Sequence, residues 1–367
     1  MKIGILCYPT YGGSGVVATE LGKELARRGH IVHFINSQLP VRLDGDGFSD
    51  KIFFHEVSVP NYPLFSHPPY TLALAGRVVQ VIKEQGLDLI HAHYAVPHSL
   101  VAVLAREISG QARVVTTLHG TDITLVGTEP SFLDVTRYAI EASDCVTAVS
   151  ASLARDTREL LAVNKEVHTV YNFVNPDIYR PVPPAIREVY VGEGEHLLIH
   201  ISNFRPVKRV PDVIEVFARV RESVPAVLLL VGDGPQHCHA LAKARELGVS
   251  EHVCFLGQQR EVVPLLSASD VMLLPSEQES FGLAALEAMA CGVPVVASTA
   301  GGLPEVVADG IGGRLLPVGD TRGMAAATLE ILGNPRRWRE GALERAQNFS
   351  STRWVAEYEA LYRQVLA

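Results

Sequence analysis

The sequence predicts an α/β protein made of two doubly wound, parallel-sheet domains. Three observations carry that expectation. Short β-rich apolar runs alternate with amphipathic stretches through both halves of the chain, the pattern of parallel sheets covered by helices on both faces. The length, 367 residues, exceeds one usual core and suits two. A stretch from Asn172 to Pro184, with Pro176, Pro181, Pro183 and Pro184, interrupts regular structure and marks a joint.

The expected bounds are therefore 1–172 for an N-terminal domain and 173–349 for a C-terminal one. In the first, strands are expected at 2–8, 31–35, 52–57, 88–92, 113–118 and 145–149, with helices at 14–28, 70–85, 97–108, 131–142 and 151–162. In the second, strands are expected at 196–202, 226–231, 252–256, 271–275, 294–298 and 313–317. Its helices are expected at 208–222, 236–247, 260–268, 281–291, 303–309 and 321–333. Residues 350–367 read as one amphipathic helix with Trp354, Tyr358 and Leu361 on a single stripe, expected to cross back onto the first domain. Two lobes on a proline-rich hinge are expected to face each other across a cleft, and to close over a ligand and expel water.

Composition narrows the function classes. Hydrophobic residues are 47% and charged residues 20%, as in ordinary globular proteins, and no apolar run approaches the roughly 18 residues of a membrane span. A net charge of −8 argues against a general nucleic-acid binder. Met1-Lys2 leads directly into the first strand, so no leader is expected. The five cysteines are scattered and form no Cys-x-x-Cys, which reads as buried thiols in a reducing cytoplasm.

The stretch Glu279-Ser280-Phe281-Gly282-Leu283-Ala284-Ala285-Leu286-Glu287 holds two glutamates around a strand–turn–helix junction. Free N–H groups and the positive end of a helix suit a phosphate there. Upstream, Ser202-Asn203-Phe204-Arg205-Pro206-Val207-Lys208-Arg209 follows a strand and is expected to start a helix. The fork of Arg205 and the point charge of Lys208 suit a diphosphate and can neutralise a leaving group without a metal. Gly232 and Gly257 end the next two strands and let backbone approach a nucleobase or phosphate.

In the first half, His119-Gly120-Thr121-Asp122 stands at the carboxyl end of a strand, where open α/β sheets bind ligands. His119 can exchange hydrogen bonds with a sugar hydroxyl. Gly13-Ser14-Gly15-Val16-Val17-Ala18 matches a dinucleotide fingerprint, but its turn is long and the second strand ends at Ile35-Asn36 without an acid for a ribose. It reads as a glycine loop open to a ligand. His91 and His93 share a strand face and have no obvious third metal ligand, so they read as site wall or core. His237-Cys238-His239 reads as an incidental helix start. Asp44-Gly45-Asp46 spells Asp-x-Asp in a glycine-rich loop and reads as solvated acids.

These motifs, together with Cys7-Tyr8-Pro9, His91-Ala92-His93-Tyr94, Tyr171-Asn172-Phe173 and the Glu-x7-Glu spacing of Glu279 and Glu287, resemble those of the retaining GT-B glycosyltransferases of family 4 over nearly the whole chain. The three-residue step from Arg205 to Lys208 is shorter than is common in that family and fits its malate-using group. The resemblance implies transfer of GlcNAc from UDP-GlcNAc to the hydroxyl of L-malate, keeping the α configuration, as the first step of bacillithiol biosynthesis. It implies that Arg205 and Lys208 hold the diphosphate with N–H groups at Gly282 and Leu283. Ser280 and Phe281 belong to the same donor loop. Glu279 would contact sugar hydroxyls, Glu287 the ribose, and His119 the sugar near the reacting carbon. Gly13 is a donor-side residue. Ser14, Gly15, Tyr94, Thr117, Arg137 and Asn172 are the acceptor-side candidates. No metal or other cofactor is expected, and neither is a nucleic-acid or membrane partner; a homodimer is left open.

Rival readings are a family 4 transferase with a sugar, lipid or polysaccharide acceptor, a UDP-GlcNAc 2-epimerase of the same architecture, and a binding protein without turnover. A hydrolase using Glu279 and Glu287 needs carboxyls about 5–9.5 Å apart and leaves the diphosphate clamp unexplained. Residues 1–170 carry no lysine-rich run, which favours a small soluble acceptor.

Overall fold

The computed structural model describes residues 1–10, 12–43, 50–59 and 67–367, so Tyr11 and the Asp44-Gly45-Asp46 acids lie outside the described residues. The chain divides into two compact units, Met1–Asn172 with Ser351–Ala367, and Phe173–Ser350.

The first unit runs β1 (Lys2–Leu6), α1 (Gly13–Arg27), β2 (Ile31–Asn36), β3 (Ile52–Glu56), α2 (Tyr70–Gln85), β4 (Leu89–His93), α3 (Leu100–Ser109) and β5 (Arg113–Leu118). It continues through α4 (Leu133–Ala142), β6 (Cys145–Ala148), α5 (Ala151–Leu161) and β7 (Val167–Thr169). All pairings are parallel, in the order β3-β2-β1-β4-β5-β6-β7. The chain winds outward from β1 to β3, then returns to β4 beside β1 and winds the other way. The loops after β1 and β4 therefore leave the same edge in opposite directions, the place where open α/β sheets bind ligands.

The second unit runs α6 (Arg187–Tyr190), β8 (His196–Ile201), α7 (Val210–Arg221), β9 (Ala226–Val231), α8 (His237–Glu246), β10 (Val253–Gly257), α9 (Val263–Ala268) and β11 (Val271–Leu274). It continues through α10 (Leu283–Ala290), β12 (Val295–Ser298), α11 (Leu303–Val307), β13 (Gly313–Leu316), α12 (Thr321–Gly333) and α13 (Pro335–Gln347). The order is β10-β9-β8-β11-β12-β13, again parallel. Its reversal lies between β8 and β11. Every residue of β9 is buried, as expected of a strand covered on both faces.

The last helix, α14 (Ser351–Leu366), belongs to the first unit. It lays Trp354, Val355, Tyr358 and Tyr362 inward, and Tyr171 meets Trp354 edge to face at 4.9 Å. Glu359 accepts from Arg28 at 2.9 Å and bonds His30 at 2.6 Å, tying α14 to the end of α1.

Three expectations are corrected. Arg205 and Lys208 precede a helix rather than starting one, because α7 begins at Val210. The helix after the donor loop starts at Leu283, not 281: Gly282 sits at φ +98°, outside helical space. Only Cys7, Cys145 and Cys291 are buried thiols, held up to about 12, 11 and 12 by desolvation, whereas Cys238 is exposed and Cys254 half-buried. Among the described residues no helix is long and apolar enough to cross a membrane.

Candidate functional site

In the second unit, chemistry gathers at the β8/β11 reversal. Phe204 and Arg209 take left-handed φ values of +42° and +51°, uncommon for residues with side chains, on either side of the exposed Arg205 and the half-buried Lys208. A 3-10 turn, Pro206–Lys208, swings Lys208 toward the loop after β11. There Lys208 Nζ meets Glu279 Oε2 at 2.5 Å, and Glu277 N–H donates to the Val207 carbonyl at 2.7 Å. Underneath, buried His200 donates from Nδ1 to the Leu273 carbonyl at 2.8 Å and bonds Ser202 Oγ through Nε2 at 2.8 Å, linking β8 to β11; burial pulls its pKa down to about 4.

The donor loop ends in a helix start. The first α10 bond runs from Leu286 N–H to the Gly282 carbonyl at 3.1 Å, so the N–H groups of Leu283 to Ala285 have no partner within the helix. Phe281 is buried against Phe349, 5.7 Å away edge to face. Ser280 lies in the half-buried turn beside it, and Glu287 is half-buried on the second turn of α10. Because 279–282 is not helical, Glu279 and Glu287 are not separated along one helix axis. Gly302 donates to the Glu279 carbonyl at 2.8 Å, a support the motif alone did not reveal. Gly232 N–H donates to the Gly257 carbonyl at 2.8 Å, bringing those two candidates together. At φ +119°, Gly232 holds a place where a Cβ would stand 1.8 Å from the Ser202 carbonyl oxygen.

In the first unit, the β1/β4 reversal brings Tyr8 against Tyr94, with ring centroids 5.1 Å apart. Tyr94 takes φ +87°, an outlier for an aromatic residue. Its ring stacks on His119 at 5.5 Å and its hydroxyl bonds Thr121 Oγ1 at 2.8 Å. Fully buried Asp122 accepts N–H bonds from His119 at 3.1 Å, Gly120 at 2.8 Å and Ala95 at 3.1 Å, clamping the loops after β4 and β5 together. Burial raises its pKa to about 6 against the pull of those bonds. Desolvation lowers His119 to about 3, so at neutral pH this ring is an uncharged hydrogen-bonding group. Gly13, Ser14 and Gly15 form the first turn of α1.

The remaining candidates fall elsewhere. Thr117 is fully buried and its hydroxyl bonds His91 at 2.6 Å, Thr147 at 2.7 Å and Tyr358 at 3.3 Å, beneath α14. His91 lies in the same network, bonded to Tyr362 at 2.7 Å. Arg137 is committed to the Leu161 carbonyl at 2.7 Å and to Asp134 at 2.9 Å. Asn172 is buried, and its Oδ1 has no partner. Asp122 is the support that sequence reasoning passed over, its only signal a place in a quoted motif; His93, read as site wall or core, is fully buried beside His119. Among the described residues no cluster of three or more His, Cys, Asp or Glu is arranged to hold a metal ion.

Two parallel-sheet units, each with its polar groups at the strand-order reversal, have the architecture of the GT-B glycosyltransferases. Residues 11–178 match the model described as Glycosyltransferase Family 4, and residues 195–334 that described as Glycosyl transferases group 1. The chain is 49% identical, over all of its length and 97% of the relative's, to N-acetyl-alpha-D-glucosaminyl L-malate synthase of Bacillus anthracis. It is 30% identical, over 75% of its length and 76% of the relative's, to GDP-mannose-dependent alpha-(1-6)-phosphatidylinositol monomannoside mannosyltransferase of Mycolicibacterium smegmatis. Among solved structures, Anabaena HepE in complex with UDP superposes with a TM-score of 0.81 at 21% identity, over 99% of each chain. Sucrose-phosphate synthase of Thermosynechococcus elongatus superposes at 0.79 and 24%, over 99% of this chain and 98% of that one. The chain belongs to glycosyltransferase family 4.

Proposed function

We propose that the protein transfers GlcNAc from UDP-GlcNAc to the hydroxyl of L-malate with retention of the α configuration and without a metal, the first step of bacillithiol biosynthesis, in the cytoplasm. The observation that carries the transferase reading is the Lys208–Glu279 pair beside the α10 N-terminus: a cation and free N–H groups for a diphosphate, with a carboxylate alongside. The donor sugar and acceptor rest on the 49% identity to the Bacillus anthracis malate synthase.

On this reading Arg205 and Lys208 take the diphosphate, with N–H groups at Gly282 and Leu283. Lys208 exchanges Glu279 for phosphate, and Glu279 turns to sugar hydroxyls. Glu287 holds the ribose, and Gly232 and Gly257 leave backbone room for the base. His119, neutral, hydrogen-bonds the sugar. The N–H groups of Ser14 and Gly15, together with Tyr94, receive the malate carboxylates, while Thr117 acts through the wall beneath. The bond from the anomeric carbon to the diphosphate oxygen breaks as that carbon bonds the malate hydroxyl oxygen. The hydroxyl proton passes to the leaving diphosphate on the same face, so no side-chain nucleophile is needed.

The test is UDP release from UDP-GlcNAc with and without L-malate, in EDTA, with mass detection of product. Malate-dependent release and a GlcNAc–malate adduct support donor, acceptor and metal independence together. Release with another acceptor only, or only after metal is restored, overturns the corresponding part.

A further inference from the structure

His93, at the end of β4, and His119, just beyond β5, share one proton. His93 Nδ1 and His119 Nε2 lie 2.9 Å apart, so one nitrogen donates and the other accepts. Both rings are neutral at pH 7: burial pulls His119 to about 3 and His93 well below 6.5. Two arrangements remain. If His119 donates, His93 carries its own proton on Nε2, an atom that is buried without a partner, and a donor is stranded. If His93 donates from Nδ1, the stranded atom is a bare lone pair. Orphaned buried N–H groups are rarer than under-satisfied acceptors. His98, next in the cluster, makes the same choice. Its Nδ1 lies 2.7 Å from the His93 carbonyl, which can only accept, so His98 is protonated there and leaves its own buried Nε2 bare.

We propose that His93 is a positioning residue that fixes His119 as the Nδ1–H tautomer, so that His119 presents a hydrogen-bond donor, not an acceptor, to its ligand. His119 is partly exposed, and among the described residues its Nδ1 has no hydrogen-bond partner. A donor there selects an oxygen lone pair, such as that of a sugar hydroxyl, and disfavours a ligand group that can only donate, such as an ammonium. Naming the ligand a sugar rests on the proposed function; the tautomer does not.

Long-range proton–nitrogen correlation spectra of the full chain, without substrate, test this directly. His119→Asn assigns the resonance. The expected pattern for His119 is a protonated Nδ1 and an unprotonated Nε2; the reverse overturns the proposal whatever the substrate proves to be. His93→Asn places an amide N–H where Nδ1 stood and should keep both the pattern and most of the transfer rate. His93→Leu should lose the fixed tautomer and slow transfer about tenfold, the worth of one hydrogen bond. Equal losses in both variants, with the wild-type tautomer pattern retained, would show that His93 only fills space. Should neither variant fold, the wild-type spectrum alone decides.

Discussion

Acid should unfold the first unit well before the second. The first unit buries His33, His91, His93 and His98 and packs His119 beside them. Burial lowers His91 and His119 to about 3, His33 and His98 to about 4, and His93 well below 6.5. In the unfolded chain the same rings take up protons below about pH 6.5. The unfolded state then binds more protons than the folded one, so stability is intact above pH 6.5 and falls as pH drops toward the folded values. At pH 5 each of the four rings held near 3 or 4 is roughly 1.5 pH units below its unfolded pKa and costs about 2 kcal/mol, so the four cost about 8 kcal/mol, and His93 acts in the same direction. Asp122 acts in the opposite sense. Its pKa is raised to about 6, so the folded state takes up that proton first and recovers about 1 kcal/mol by pH 5. The net loss, about 7 kcal/mol before His93 is added, is comparable to the whole stability of a domain, about 5–15 kcal/mol. The second unit has one such histidine among the described residues, His200 at about 4, and loses about 2 kcal/mol. Hydrogen exchange read by mass spectrometry, corrected for intrinsic rates and compared between pH 7 and pH 5, should show protection collapsing in β1, β4 and β5 while β8, β9 and β11 hold. Loss of protection in the second unit first, or in both at one pH, would refute the assignment of buried neutral histidines to the first unit.

Other perturbations read the site and its supports. Glu279→Gln should release Lys208 from its 2.5 Å partner, tighten UDP binding roughly three- to tenfold by calorimetry and abolish transfer; weaker UDP binding would sink the exchange of partners. Glu287→Ala should weaken UDP about tenfold if its carboxylate holds the ribose, and unchanged affinity removes it from that role. Tyr362→Phe leaves His91 Nδ1 without its 2.7 Å partner and should cost about 1–3 kcal/mol in urea melts. Tyr358→Phe, which loses a 3.3 Å contact, should cost less. Gly232→Ala puts a Cβ against the Ser202 carbonyl at positive φ and should destabilise the second unit by about 3 kcal/mol or more; a wild-type melt contradicts the close approach of those loops.

The sheets were legible because buried parallel strands are short apolar runs and the helices between them keep a clear period. The misses have local causes. Strand β7 has three residues, too few to show a pattern. Helix α13 is charge-rich and buries only Trp338, Ala342 and Ala346, a stripe four residues apart too thin to stand out. The residues flanking the site were legible as glycines and charges at strand ends, but their pairing was not. Lys208 and Glu279 stand 71 positions apart, and only the reversal of strand order between β8 and β11 makes them neighbours. His91 was read as site wall or core, and what it meets is α14, 271 positions away.

The two reversals differ in a way that physical chemistry makes consequential. The one in the second unit is lined by Arg205, Lys208 and Glu279, partly solvated side chains that can exchange ion-pair partners at modest cost. The one in the first unit is lined by Tyr8, Tyr94, His93, His98 and His119, whose imidazoles burial keeps neutral, above a carboxylate already saturated by three backbone N–H groups. Mobile charge is suited to a diphosphate whose leaving oxygen gains negative charge as its bond to a sugar breaks, before a proton reaches it. Fixed neutral donors and acceptors are suited to hydroxyls, which differ in direction rather than charge and are told apart only by groups that cannot turn to follow them. Moving one charge into the first reversal, as His93→Lys would, should therefore damage sugar discrimination more than nucleotide affinity. Nucleotide affinity falling first in that variant, by calorimetry with UDP alone, would mean the two reversals do not divide recognition in this way.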